Sequence, residues 1–180
     1  MSHSNNQFNY HLYSEDYLTF QLYTASKSEV VAKKRKSEWM LLWFLPLVFG
    51  LYFLTSAEYL LATYFFIVTI VTFFFYSQYF KWRYKKRHLK FILANYQEHF
   101  GAEEELVFNA DHLFLKNKTG EGKVLLDAVI SCVEIPSHLF IKLNTGTSII
   151  LPKTEVDEEA VKTQLTQLKI NVEHEVNWAW

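Results

Sequence analysis

The 180-residue chain has one cysteine, Cys132, so a single copy can hold neither an internal disulfide nor a multi-cysteine zinc site. Five of its seven histidines, His88, His99, His112, His138 and His174, show no H-E-x-x-H or other short metal-ligand spacing, and His88 lies in a basic stretch unsuited to a cation. Surface or interface histidines are expected, with no metal, cofactor or catalytic residue. The segment "TGEG" (Thr119–Gly122) lacks the lysine and helix start of a phosphate-binding loop and reads as a hairpin turn. The opening "MSHSNNQFNY" lacks the charged-then-apolar pattern of a cleavable signal peptide. The first apolar segment is therefore expected to serve as its own insertion signal.

Half the residues are hydrophobic, yet the mean hydropathy is −0.03, so the apolar residues must be concentrated. They fill residues 39–80, where Glu58 is the one charge. As a single helix this 42-residue tract would measure about 63 Å at about 1.5 Å per residue, twice a hydrocarbon core of about 30 Å. Broken at Thr55–Glu58, it yields two spans, 39–55 and 59–80, the first near the lower length limit. Residues 27–38 carry a net +3 and residues 81–90 a net +6, whereas residues 91–180 carry −7. Because Lys and Arg near span ends favour the cytoplasmic side, both basic collars are expected inside and the Glu58 turn outside. Trp39, Trp43, Tyr79 and Trp82 would form an aromatic belt at one interface. Pro46 and Gly50 fall within the first span, where a neighbouring helix can satisfy freed backbone groups. A buried hairpin of a soluble protein is the alternative, but the second segment is apolar on every face and the chain has too little protein to cover it.

Upstream, "FNYHLY" (Phe8–Tyr13) alternates as a strand, with Ser14 as N-cap of a helix "EDYLTFQLYTASKSEVVAKKRK" that sets Tyr17, Leu18, Leu22 and Ala25 on one side. Downstream, the second span continues as a basic helix towards Gly101, a natural stop. From Glu105 the period becomes two, and six short strands are expected over 105–109, 112–117, 122–127, 129–135, 139–144 and 148–153. Their short, turn-rich gaps make antiparallel neighbours. Pro152 ends strand pairing, and Thr154 with Asp157 forms an S/T-x-x-D/E capping signature. The helix that follows presents Val161, Leu165 and Leu168 to the sheet. The expected fold class is an α+β membrane protein: a two-helix transmembrane hairpin plus a small antiparallel β module closed by a C-terminal amphipathic helix. Its parts are a cytoplasmic N-terminal strand and helix (1–38), the hairpin (39–80), a basic juxtamembrane helix (81–100) and the β module (101–180).

The stretches "SEDYLTF", "FNADHLFLKN", "IPSHLFIKL" and above all "SIILPKTEV", with the two spans between the first and second, resemble the YcxB-like membrane proteins of bacteria. That resemblance implies a bacterial inner-membrane protein with both termini cytoplasmic and a pleckstrin-homology-like cytosolic module. It brings no catalytic residues.

Cys132, flanked by apolar residues, reads as core packing rather than a nucleophile. Glu103, Glu104 and Glu105 read as solvated charge. Asn117-Lys118-Thr119 matches a glycosylation tripeptide, but the expected topology holds it inside the cell. The strongest interaction signal is "KWRYKKRHLK": Lys81, Arg83, Lys85, Lys86, Arg87 and Lys90 beside a span attract anionic lipid headgroups. Orienting the helix is the plainer role of the same charges. Nucleic acid is a poor partner because the following domain is acidic. The expected function is therefore non-enzymatic: an integral membrane protein presenting a β-rich module to a protein partner, a peptide, a lipid headgroup or a second copy. The competing expectation is a membrane enzyme or enzyme subunit whose site is completed by another chain.

Overall fold

Alternation beginning at Phe8 produces β1 (Gln7–His11), and in the computed structural model, which describes residues 6–180, this strand pairs antiparallel with β2 (Glu103–Phe108). The polar residues 1–5 of the expected N-terminal segment lie outside the described residues. Two turn-linked strands, β3 (His112–Asn117) and β4 (Gly120–Leu125), complete a sheet of order β1-β2-β3-β4. The chain divides into two compact units: residues up to Gln21 with Leu89–Ala179, and Leu22–His88 with Trp180. The first unit is therefore built from segments on both sides of the apolar tract.

Within that unit a second sheet has the order β7-β6-β5-β8, from β5 (Val129–Glu134), β6 (His138–Leu143), β7 (Ser148–Pro152) and β8 (Val172–His174). The strand β8 is absent from the sequence expectation. It is three residues long and joins parallel to β5. Leu106, Leu113, Val133, Ile135, Leu139, Ile141 and Leu151 are fully buried, each contributing about 1.5–3 kcal/mol of apolar burial. Helix α4 (Glu158–Gln167) adds Val161 and Leu165 to this core. Its N-cap is Asp157, whose carboxylate accepts from Glu159 N and Ala160 N, rather than Thr154. Asp157 wins because one oxygen satisfies two of the orphan N–H groups. The helix ends in a Schellman motif, with Ile170 N donating to Leu165 O and Lys169 held at φ 58°.

The expected N-terminal helix is two helices. α1 (Ser14–Lys27) starts one residue earlier than a Ser14 cap implies, with Asp16 reaching back to accept from Tyr13 N at 2.6 Å. Ser28 then caps a fresh helix, α2 (Glu29–Thr55), by accepting from Val31 N. Helix α3 (Tyr59–Asn95) runs from the apolar segment straight through the basic one and stops before Gly101, where a 3-10 turn (Gln97–His99) takes over.

Between α2 and α3 the break at Thr55–Glu58 is a tight Schellman turn: Glu58 N donates to Phe53 O and Ala57 adopts φ 59°. The two helices lie against each other through the stacked rings of Phe49, Phe53 and Phe65 and through Gly50, where an added Cβ would stand 3.2 Å from the Phe66 ring. Trp39 Nε1 donates to Phe73 O, and the Tyr76 hydroxyl to Glu38 at 2.9 Å. Both helices are long and apolar enough to cross a membrane. Leu41, Leu45, Leu60, Ile67, Ile70 and Phe74 are exposed, so protein does not cover them as a soluble core would require.

Candidate functional site

The six basic residues singled out from the sequence all lie on the continuous helix α3. At 3.6 residues per turn their spacing distributes them right round the axis, a collar rather than a stripe. Arg83, Lys85, Lys86, Arg87 and Lys90 are exposed and Lys81 is half-buried. None of the six forms an ion pair among the described residues; Lys86 stands over the Trp82 ring at 5.1 Å. Upstream, Lys33, Lys34, Arg35 and Lys36 are likewise exposed, and among the described residues only Lys34 of the four reaches an acid, Glu38 at 4.0 Å.

Lys153, at the strand-to-helix corner, is not free to bind. Its ammonium donates to Glu134 at 2.7 Å and Glu158 at 3.0 Å, and Lys162 donates to both of the same carboxylates. His174 of β8 reaches the second oxygen of Glu134 at 2.5 Å. Burial alone would raise the Glu134 carboxyl; the bonds from Lys153, Lys162 and His174 outweigh it and hold the group well below the ordinary carboxylate range. The Glu158 carboxylate in turn raises the Lys162 ammonium. This cluster ties β5, β7, α4 and β8 together. Beside it, Cys132 is fully buried, and burial, with the Glu134 and Glu173 charges, pushes its thiol up to about 12, so it is inert.

His138 is a buried histidine, contrary to the surface role expected of it. Its Nδ1 meets Ser137 Oγ at 2.8 Å and its Nε2 meets Asp16 Oδ1 at 3.0 Å. Serine, histidine and aspartate thus lie in line, but Asp16 also holds Tyr13 N, and the imidazole is closed off from solvent. The arrangement is a clasp between α1 and β6, which Phe20 reinforces by packing edge-on against Phe140. His112 is bound to Asp111 and Asn109. No group of three or more His, Cys, Asp or Glu suited to a metal occurs among the described residues.

A cavity of about 230 Å³ opens on the inner side of the first sheet, bordered by β7 of the second. Tyr10 and Glu104 face each other across the β1–β2 ladder, on the same side as the core residues Phe8, Leu106 and Phe108. The Tyr10 hydroxyl is buried and makes no hydrogen bond. Burial raises the Glu104 carboxyl, with the Tyr10 phenol and His99 partly offsetting it. The phenol and carboxyl thus stand close enough to act on one another. Tyr17 of α1, also on the cavity wall, is pushed up to about 12 by its own burial and by Glu104. Reading the three glutamates as a solvated run overlooked Glu104. Its parity with Leu106 and Phe108, two and four residues on, is the signal that marks it as inward.

Compared with known proteins, residues 108–165 match the family model described as YcxB-like protein. The match covers β3 to β7 and most of α4, so this part of the chain is a YcxB-like domain. No curated protein matches the chain.

Proposed function

We propose, starting from a YcxB-like domain carried behind two apolar helices, that this is a non-enzymatic bacterial inner-membrane protein whose pleckstrin-homology-like module binds a protein, peptide or lipid headgroup at the inner leaflet. The observation that carries the reading is the unpaired basic collar on α3, immediately after an apolar stretch whose side chains protein leaves uncovered. Lys and Arg at that position favour the cytoplasmic side, as does the α2 collar, so both ends of the hairpin and the module they flank lie inside. Two four-stranded sheets closed by an amphipathic helix support the pleckstrin-homology-like description. Clustered cations beside a span add about 1 kcal/mol each of attraction to anionic headgroups.

Single cysteines placed at Ser56 and at Lys85, in a Cys132→Ala background, test the topology with a membrane-impermeant thiol reagent on intact cells. Labelling at position 56 alone is expected, and labelling at position 85 alone overturns the arrangement. Crosslinking of the full chain in native membrane, followed by mass spectrometry, tests the binding role. A repeatable protein or lipid adduct on the module is expected; a clean preparation with none counts against it. The full chain is required because β1 completes the first sheet from outside residues 101–180.

A further inference from the structure

We infer that Arg35 of α2 and Arg83 of α3 form a clamp for the phosphate of an anionic phospholipid in the cytoplasmic leaflet. The inference rests on the membrane reading above and narrows its general attraction for headgroups to one site. Two contacts set the register of the antiparallel helices: the Tyr76 hydroxyl on Glu38, and Trp39 Nε1 on Phe73 O. At 3.6 residues per turn Arg35 projects between Glu38 and Trp39, and Arg83 falls within about 20° of Tyr76. Each therefore lies on the face that its helix turns to the other. Arg35 stands three residues, about 4.5 Å, to the collar side of Glu38, and Arg83 seven residues, about 10.5 Å, to the same side of Tyr76. Helical side chains lean towards the N-terminus of their own helix, and these two helices run in opposite directions. Arg35 thus leans away from the apolar stretch and Arg83 leans back towards it, which closes the offset of about 6 Å along the axis.

Both guanidinium charges also fall within electrostatic reach of the Tyr76 hydroxyl. Both side chains are exposed, and neither forms an ion pair among the described residues. Glu38, the acid nearest in the register, is engaged through both oxygens, by the Tyr76 hydroxyl at 2.9 Å and the Lys34 ammonium at 4.0 Å. Two like charges facing one another across a helix pair gain from an anion placed between them. A guanidinium fork matches a phosphate with two parallel N–H bonds, so a pair of forks suits that group better than it suits a halide. The depth agrees with a lipid source. Arg35 lies one turn beyond Trp39 and Arg83 adjoins Trp82, so both stand just outside the expected aromatic belt, at headgroup level. A lipid that carries its own ammonium already answers its phosphate, which favours phosphatidylglycerol over phosphatidylethanolamine.

The test titrates phosphatidylglycerol or phosphatidylethanolamine into the detergent-solubilised full chain and reads bound lipid by native mass spectrometry. Phosphatidylglycerol is expected to bind about tenfold or more tighter. Arg35→Gln with Arg83→Gln is expected to weaken it by about tenfold or more, as loss of hydrogen bonds from charged groups does. Arg35→Lys with Arg83→Lys keeps the charge but not the forks and is expected to weaken it about threefold or more; this pair keeps the test open should the glutamine pair unfold. Lys33→Gln with Lys85→Gln removes the same charge from faces turned away from the helix contact and should change binding by less than about twofold. Excess inorganic phosphate should leave the lipid in place, and displacement would assign the site to a soluble phosphate and overturn the lipid source. Equal binding of the two lipids, an arginine-to-lysine pair that binds as wild type does, or a far-face pair that loses as much as the arginine pair would each overturn the clamp in favour of undirected collar charge. Any of these failures in a chain that still labels at position 56 from outside the cell would leave the membrane-module reading standing.

Discussion

Replacing Glu134 by alanine removes the carboxylate on which Lys153, Lys162 and His174 converge, and leaves two ammonium groups sharing Glu158. Glu134 is 4% exposed, and the lysine side chains are 14% and 23% exposed, so water cannot fully take its place. Breaking a buried ion pair from one side costs about 3–5 kcal/mol. Because Glu158 remains and the lysines keep some solvent, the lower end applies, near 3 kcal/mol. For a chain of this size that corresponds to a melting temperature lower by about 6–12 °C. The assay is thermal unfolding in nanodiscs followed by near-ultraviolet circular dichroism. Since folding depresses the Glu134 carboxyl, its stabilisation is fully present above the ordinary carboxylate pKa and fades as pH falls through the lower folded value. The gap between wild type and variant should therefore hold at pH 5–7 and narrow at about pH 3. A loss under about 2 °C at pH 7, or a gap that does not shrink in acid, would refute the reasoning.

Three further outcomes are expected from the same unfolding assay. Gly50→Leu forces side-chain atoms beyond a Cβ already 3.2 Å from the Phe66 ring and should cost about 1–3 kcal/mol, whereas a neutral result would mean that α2 and α3 do not meet there. His138→Ala strands the Asp16 and Ser137 partners and should cost about 1–3 kcal/mol; a wild-type melting curve would deny the clasp. Lys169→Gly relieves a left-handed backbone and should stabilise by about 1 kcal/mol, and destabilisation would contradict the Schellman ending of α4.

Residues 39–80 show their division plainly in the sequence because length and collar charge act on many residues at once, and the helix break falls at Thr55 as expected. Period-two alternation likewise locates seven of the eight strands to within about two residues, the margin at which strand ends ordinarily shift. What stays hidden depends on single contacts. β8 has only Val172 half-buried and takes its place from a parallel pairing with β5, some forty residues away, which no local pattern encodes. The break at Ser28 interrupts no apolar stripe, and it shows only once the Ser28 side chain is seen to cap α2. Thr154 and Asp157 are both legitimate caps by residue type, and the path of the chain leaving Pro152 selects between them. For the cavity, Glu104 was legible by parity. The pairing of Tyr10 with Glu104 was not, because the two strands lie on either side of the entire hairpin.

That last separation has a consequence for biosynthesis. The ribosome emits β1 first, then both apolar helices, and only about ninety residues after His11 does it reach Glu103, the residue that pairs with it. At about 5–20 residues per second β1 waits roughly 5–18 s, with its edge unsatisfied, until its partner strand is made. The first sheet can close only if both strands end up on the same side of the bilayer. On the proposed topology, a chain inserted with the wrong number of crossings would leave β1 without its partner and with an open strand edge.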